Sequence, residues 1–243
     1  MIVLYTDFGP DGIYVAQVKA VLLEALGRAE PILDLTHSVP AFDVAAGAHL
    51  LAALQARFPR GTVFFAVVDP GVGTNRDAAV VQADGKWYVG PDNGLISVTA
   101  ARAAEVRTWR IAWRPDALSV SFHGRDLFAP VAAWLANGAL PDERLEPTPE
   151  LEVRLSADDY PRVVYVDHYG NVLSGLRARS ISESVALDVG QRRIEHSRVF
   201  ADSPPGAVFW YENSIGLVEI AANRGSAAAL LGVRVGDTIG LLR

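Results

Sequence analysis

The chain has 243 residues, of which 50% are hydrophobic and 21% are charged, and this composition excludes a mainly disordered protein. Its 22 basic and 28 acidic residues give a net charge of −6, so the sequence provides no general electrostatic attraction for nucleic acid. The length favours one large domain or two domains of modest size.

The sequence lacks a membrane-spanning segment, a signal peptide and cysteine. No apolar run approaches the roughly 18 residues that a membrane-spanning helix needs, and no basic segment precedes the first apolar residues as it does in a signal peptide. There is no cysteine, which excludes disulfides, thiolate metal sites and cysteine nucleophiles. We therefore expect a cytoplasmic protein with no membrane partner and no nucleic-acid partner.

Short apolar segments and helical patterns alternate in the first half of the chain. The apolar segments cover residues 2–5, 32–35 and 63–68, and helical spacing covers 15–26 and 43–58, with Asp43 as a helix N-cap. Asp84-Gly85 predicts a hairpin turn. A short helix after Gly94, a strand at 106–111 and a helix ending at 136 follow. Continuous apolar strands separated by helices predict an α/β domain with a mainly parallel sheet buried on both faces.

The composition changes between Gly138 and Pro161, where prolines interrupt a polar, acidic stretch. Beyond it, short strands alternate closely with turns, which predicts a small C-terminal antiparallel β-barrel. We expect an α/β domain at 1–140, a linker at 141–160 and the barrel domain at 161–243.

Polar residues follow the predicted N-terminal strands. Asp7, His37 and Asp69 each come directly after an apolar segment, and ligands of parallel sheets bind outside the carboxyl ends of the strands. Each residue also has a simpler explanation. Asp7 could cap the next helix, and Asp69 and Arg76 could form an ordinary ion pair.

Other motifs are less specific. The glycines at 71 and 73 lack the Lys-Ser/Thr end of a phosphate-binding loop, and the histidines have no metal-ligand spacing, so we expect no metal. Asp92-Asn93-Gly94 is typical of a turn with a helix cap. His123 precedes a helix, where it could pack while Asp126 caps that helix.

Taken together, seven short motifs have a more specific meaning. In chain order they are Thr-Asp-Phe-Gly at 6–9, Asp-Leu-Thr-His at 34–37, Val-Asp-Pro-Gly-Val-Gly-Thr at 68–74, Gly-Pro-Asp-Asn-Gly at 90–94, Phe-His-Gly-Arg-Asp at 122–126, Asp-His-Tyr-Gly-Asn at 167–171, and Asn-Ser at 213–214 leading to Asn-Arg-Gly at 223–225. In these motifs the chain resembles the S-adenosyl-L-methionine hydroxide adenosyltransferases, also called S-adenosyl-L-methionine hydrolases, which are relatives of fluorinase and chlorinase.

The resemblance implies attack of water or hydroxide on C5′ of S-adenosylmethionine, which releases adenosine and L-methionine without a cofactor. It also implies a homotrimer with sites between subunits. By motif, the water-activating residues fall on Asp69, Arg76 and His123, and the residue that holds the ribose hydroxyls falls on Asp7. The halogenating relatives have a different residue at the position of Asp69, which favours water over halide.

The remaining substrate-binding positions are also implied by the resemblance. They are Asp11, Phe42, Phe122, Asp167, Tyr169, Asn171, Tyr211, Ser214, Glu219 and Ala222. Three alternatives stay open: a halogenase that forms 5′-halo-5′-deoxyadenosine, a non-catalytic S-adenosylmethionine or adenosine sensor, and a methyltransferase. The sequence lacks the glycine-rich first loop of many methyltransferases.

Overall fold

A computed structural model of the chain describes residues 1–27 and 29–242. The chain divides into two compact units, Met1–Ala157 and a second unit that begins at Asp158. Within the described residues, none of the helices has both the length and the apolar character that crossing a membrane requires.

A seven-stranded mixed sheet forms the centre of the first unit. Its strands are β1 (Ile2–Thr6), β2 (Ile32–Thr36), β3 (Val63–Val67), β4 (Ala78–Ala83), β5 (Lys86–Pro91), β6 (Val106–Ile111) and β7 (Leu145–Thr148). They lie in the order β2-β1-β3-β5-β4-β6-β7. Neighbours from β2 to β5 are parallel, whereas β4 is antiparallel to β5 and β6, and β7 is antiparallel to β6.

The mixed sheet confirms the predicted parallel strands and adds antiparallel ones. The hairpin at Asp84 and Gly85 has positive φ at both residues, +47° and +75°, as a tight two-residue turn requires. Strand β7 lies inside the segment that the sequence predicts to be a linker. Its one proline, Pro147, sits in the edge strand of the sheet, where a missing N–H costs no ladder hydrogen bond, so its presence did not exclude a strand.

Helices cover both faces of this sheet. They are α1 (Ile13–Ala25), α2 (Val44–Leu54), α3 (Ser97–Arg102) and α4 (Ala129–Ala136). Successive strand residues point to opposite faces, so Leu4 packs with α1 and α4, while the Tyr5 hydroxyl donates to the Gly47 carbonyl of α2 at 2.8 Å. The predicted cap is confirmed, because Asp43 accepts from the Ala46 amide. Pro130 lies in the first turn of α4, where a missing N–H costs no intrahelical hydrogen bond.

Residues 158–242 of the second unit contain two separate antiparallel sheets and one short α-helix. The elements are β8 (Tyr160–Val166), β9 (Val172–Arg177), β10 (Ala186–Val189), β11 (Arg192–Ile194), β12 (Val208–Glu212), β13 (Leu217–Ala222), α5 (Ala227–Leu231) and β14 (Gly240–Leu242). One sheet has the order β12-β13-β9-β8 and the other β11-β10-β14.

The antiparallel strands were predicted and are present, but within residues 158–242 they do not close into the predicted barrel. Among the described residues, isolated bridges such as Arg162 with Thr238 and His196 with Trp210 join segments outside the regular ladders. Strand patterns in a sequence show which residues alternate, but closure depends on the pairing of edge strands far apart in the chain.

Candidate active site

A cavity of about 620 Å³ lies at the carboxyl ends of β1 and β3 in the first unit. Asp7 follows β1 and Asp69 follows β3, and these two strands are adjacent and parallel, so their ends lie side by side. Phe42, Phe122 and His123 also line this cavity. Five of the residues proposed from the sequence therefore face one space.

Asp69 and Arg76 form a buried pair at this edge of the sheet. Arg76 Nε donates to Asp69 Oδ1 at 2.7 Å, and Arg76 Nη2 contacts the second carboxylate oxygen. Only 6% of the Asp69 side chain and 10% of the Arg76 side chain are exposed. Arg76 itself lies behind Asp69 rather than among the cavity-lining residues, and its guanidinium covers the Phe128 ring.

The turn that holds Asp69 depends on a glycine. Gly73 has φ +81°, and a Cβ atom built there would lie 2.6 Å from the Val120 carbonyl oxygen. The Thr74 hydroxyl donates to the Gly71 carbonyl at 2.7 Å and closes the turn. Only a residue without a side chain both adopts this φ easily and allows the backbone at 120 to approach so closely.

His123 completes this cluster. Arg76 Nη2 lies 3.2 Å from His123 Nδ1, and because a guanidinium can only donate, Nδ1 must accept and the imidazole proton is assigned to Nε2. Burial and the positive charge of Arg76 lower the pKa of His123. The neutral imidazole with a proton on Nε2 is thus the favoured state at neutral pH.

A π-helical turn over Gly124–Phe128 places His123 at its N-terminal side. The sequence did not predict this turn. Asp126, which the sequence offered as a helix cap, lies inside the turn, and Phe128 is the N-cap of α4. Asp126 accepts from the Ser119 amide at 2.9 Å and pairs with Arg125, and α4 begins three residues later. π-Helical turns are rare and occur frequently at functional sites.

Asp7 is held by the loop that contains Phe42. Asp7 Oδ2 accepts from the Phe42 amide at 3.3 Å, and Phe42 has φ +64° and is 76% exposed. Burial raises the pKa of Asp7, the amide hydrogen bonds partly offset this, and the charge of Asp69 raises it further. A positive φ at an aromatic residue is a strained geometry that recurs at ligand sites.

Two predicted positions lie elsewhere. Asp11 is exposed and does not line the cavity. His37 turns away from it: His37 Nδ1 lies 2.8 Å from the Thr6 hydroxyl and Nε2 lies 3.0 Å from Asp34. His37 therefore supports the loop after β1, although its position after a strand resembles that of Asp69.

Aromatic and polar side chains outside the proposed site residues also line the cavity, next to the proposed Phe122. Phe8, Tyr14 and Phe122 pack edge to face with centroid distances of 5.2–6.1 Å. Gln17, Ser119, Ser121 and Arg125 also line it. Tyr14 lies on α1 and is 47% exposed. A large aromatic residue that a helix leaves exposed is typical of a binding surface, and this was the signal that could have identified Tyr14 as a cavity residue.

The second unit has its own cavity, of about 770 Å³. All seven residues proposed for this part of the chain line it, namely Asp167, Tyr169, Asn171, Tyr211, Ser214, Glu219 and Ala222. Phe200, Asn213, Arg224 and Gly225 line it as well; Phe200 was missed because it lies in a short loop turn, where its ring packs against Phe209 and Tyr211.

Glu219 is the buried acid of this second cavity, with 6% exposure. The Tyr211 hydroxyl donates to Glu219 Oε1 at 2.6 Å, and Asn213 Nδ2 donates to Oε2 at 3.0 Å. Burial, followed by the hydrogen bond to Glu219, raises the pKa of Tyr211. Each Glu219 oxygen retains a further lone pair, so the site can accept hydrogen bonds from a ligand.

Asp167 organises the opposite wall through its own loop. Its carboxylate accepts from the Tyr169 amide, from the Asn171 amide and from Asn171 Nδ2, at 2.8–2.9 Å.

Nowhere in residues 1–27 and 29–242 do three or more His, Asp or Glu side chains form a group that could hold a metal ion.

Two family models match this chain. Residues 2–145 match the SAM hydroxide adenosyltransferase N-terminal domain, and residues 161–240 match the SAM hydroxide adenosyltransferase C-terminal domain. The chain is 40% identical to the (R)-S-adenosyl-L-methionine hydrolase of Thermus thermophilus, over 98% of this chain and 97% of that protein. It is 24% identical to the fluorinase of Nocardia brasiliensis, over 98% of this chain and 95% of that protein.

A similar fold is found in solved structures. An uncharacterized conserved protein from Thermotoga maritima superposes with a TM-score of 0.88 and 34% identity, covering 99% of this chain and all of that one (100%). A conserved hypothetical protein from Thermus thermophilus gives a TM-score of 0.79 with 38% identity, covering 99% of each chain. Together with the two matching family models, these similarities show that the chain belongs to the SAM hydroxide adenosyltransferase family.

Proposed function

We propose that this protein is an enzyme that hydrolyses S-adenosyl-L-methionine to adenosine and L-methionine. The observation that carries the proposal is the buried cluster of Asp69, Arg76 and His123 at the tip of β3, beside a cavity of about 620 Å³. Family membership and the 40% identity to a named hydrolase support the same activity.

The reaction is a displacement at carbon. The oxygen of a water molecule attacks C5′, the C5′–S electron pair moves to sulfur, and methionine leaves as a neutral thioether while one proton is released from the water. Because the sulfonium already carries a positive charge, its departure needs neither an acid nor a Lewis acid. What the enzyme must supply is alignment of water with the C5′–S bond, which is worth roughly 7–11 kcal/mol of the barrier.

We assign three side chains to the nucleophile. Arg76 donates to both oxygens of Asp69, so the carboxylate is fixed in one orientation, from which it can accept a proton of the water. His123 has its Nδ1 engaged by Arg76, which leaves Nε2–H as a donor to the attacking oxygen. General-base assistance of this kind contributes about 10²–10⁴-fold.

We assign the ribose to Asp7. An ionised carboxylate is an acceptor with two oxygens, and the 2′- and 3′-hydroxyls of a ribose are two adjacent donors. One Asp7 oxygen also accepts from Phe42, which holds the carboxylate towards the cavity side of its loop. We assign the C-terminal cavity around Asn171, Ser214 and Glu219 to the adenosine or methionine part of the substrate.

The assembly that we propose is a homotrimer in the cytoplasm, with each active site formed between subunits. Exposed apolar residues support an interface beside the first cavity: Phe42, which lines it, is 76% exposed, and Ile13 and Val120, which are next in sequence to lining residues, are 73% and 79% exposed. Light scattering measures the subunit number. The shared site is tested with two variants that we expect to be inactive, Asp69→Asn and Glu219→Gln. When the two variants are mixed and refolded together, partial activity returns only if two chains contribute to one site.

The activity is tested with purified protein and S-adenosylmethionine in ¹⁸O-labelled water. We expect adenosine that carries ¹⁸O in its 5′-hydroxyl, together with an equal amount of methionine. Asp69→Asn should lose most turnover and still bind adenosine. Adenosine without the label would contradict direct attack by water, and 5′-chloro-5′-deoxyadenosine formed in the presence of chloride would indicate the halogenase alternative.

A further inference from the structure

The loop after β5 contacts the backbone immediately behind the Asp69–Arg76 pair. Asn93 Nδ2 donates to the Val68 carbonyl at 2.8 Å, and Val68 is the residue directly before Asp69. The carbonyl of Val68 belongs to the peptide plane that joins it to Asp69. Fixing this plane restricts the direction in which the Asp69 side chain leaves the backbone.

The residue before Asn93 reaches the other half of the pair. The Asp92 amide donates to the Asp77 carbonyl at 3.0 Å, and Arg76 Nη1 donates to the same oxygen at 3.1 Å. The Asp92 carboxylate is itself buried and accepts from the Glu152 and Val153 amides. Two consecutive residues of one loop thus support both Asp69 and Arg76 without lining the cavity.

Asn93 also has a local role, which must be separated from this one. Its Oδ1 accepts from the Leu95 amide at 3.2 Å and forms an Asx turn, while α3 begins only at Ser97 with Ile96 as its N-cap. Asn93 is not among the residues that line either the first or the second cavity. It therefore touches neither proposed substrate site, and any effect on turnover must pass through another residue.

We propose that Asn93 is a positioning residue for the hydrolysis, because its amide holds the Val68 carbonyl and so sets the orientation of Asp69 towards Arg76 and the nucleophile. This inference rests on the proposed function. The pairing of Asp69 with Arg76 uses two parallel hydrogen bonds, and such a fork tolerates little change in angle. Misplacement of a reacting group by about 1 Å can cost on the order of 10²-fold in rate.

Two variants separate the donor from the turn. Asn93→Asp keeps an acceptor for the Leu95 amide but cannot donate to Val68, and it adds a negative charge. Asn93→Ser also keeps a local acceptor, is neutral, and is too short to reach the Val68 carbonyl. Asn137→Asp is the matched control, because Asn137 Nδ2 donates to the Ala25 carbonyl at 3.2 Å, far from this loop in sequence and at an exposed position.

We expect kcat to fall about 10–100-fold in both Asn93 variants, with the KM for S-adenosylmethionine and the Kd for adenosine unchanged. Asn137→Asp should retain wild-type kcat. NMR titration of the His123 imidazole gives a readout that does not depend on turnover. Because Arg76 contacts His123, movement of the Asp69–Arg76 pair shifts this titration, whereas simple destabilisation of the fold does not.

The outcomes separate the two proposals. If wild-type protein forms no adenosine, the proposed function fails, and the His123 titration still reports whether Asn93 orients the cluster. If the wild type is active and both variants retain its kcat and its His123 titration, Asn93 has no positioning role. A loss confined to Asn93→Asp would trace to the added charge and would also overturn the proposal.

Discussion

The substitution Arg76→Lys provides the sharpest test of the proposed catalytic cluster of Asp69, Arg76 and His123. Lysine keeps the positive charge, but its donors all lie on one nitrogen. Arg76 spans three separate partners: the Asp69 carboxylate, His123 Nδ1 and the Asp77 carbonyl. A single ammonium group cannot reach all of them, so the substitution tests geometry while holding charge constant.

The expected loss follows from these contacts. Removing one well-placed donor from a site that stabilises developing charge costs about 10²–10³-fold in kcat, which corresponds to about 2.7–4.1 kcal/mol. Arg76→Ala has a further cost, because it leaves the buried Asp69 carboxylate without its partner. Breaking a buried pair in this way destabilises by about 3–5 kcal/mol, and we therefore expect a large fall in Tm for Arg76→Ala and a smaller one for Arg76→Lys.

The assay is adenosine formation followed by chromatography, with Tm measured on the same samples. Arg110→Lys is the control, because Arg110 makes an arginine–carboxylate contact with Glu146 in the same unit, but both side chains are about half exposed (45% and 51%). Exposed pairs of this kind contribute little to stability. The reasoning would be refuted if Arg76→Lys kept the turnover and Tm of the Arg110→Lys control.

Four other outcomes are expected. Burial and then the charge of Arg76 lower the pKa of His123, and protonation at Nδ1 would oppose the contact with Arg76. We therefore expect kcat to fall on acidification with a midpoint below the ordinary histidine value of about 6.5. A midpoint above that value would contradict the assignment. Asp7→Asn should weaken binding of adenosine more than binding of 2′-deoxyadenosine in calorimetry, and equal losses would exclude a grip on the diol. Gly73→Ala should lower stability by about 1–3 kcal/mol and reduce turnover, since it forces a side chain towards the Val120 carbonyl at positive φ; unchanged denaturant unfolding would contradict this. Treatment with EDTA should leave turnover unchanged, because the sulfonium needs no Lewis acid, and loss of activity restored by one metal ion would refute it.

The fold was predictable where local patterns determine it. The apolar segments and helical spacing of the first half gave β1, β2, β3, α1 and α2 close to their observed bounds, because each element has its own period and its own stop signals. Strand β7 was not predicted, because its four residues become a strand only by pairing with β6, which is about 35 residues earlier in the chain. Pairing between distant segments leaves little trace in the local sequence.

The residues that line the cavities were likewise predictable in part, because local motifs indicate candidate residues but only the fold determines which side chains face the cavity. The family motifs proposed Asp7, Asp69 and His123, which share one cavity, whereas Asp11, which the resemblance also implied, is exposed and does not line it. Asp11 lies in the same loop after β1 as Asp7, but the direction in which each side chain points depends on the geometry of the turn. Phe8 and Tyr14 were missed for the opposite reason, because ordinary aromatic residues acquire a role only from what they face.

His37 and His123 show what decides between structural and functional roles at this sheet edge. Both occur in family motifs, and both have Nδ1 within hydrogen-bond distance of a side chain. His37 uses its second nitrogen as well, on Asp34, so neither ring nitrogen is left for a ligand. His123 meets a donor at Nδ1 and lines the cavity, so its second nitrogen can serve a ligand. The partner of each ring, which the sequence alone cannot assign, therefore separates a histidine that supports a loop from one that can act on a nucleophile.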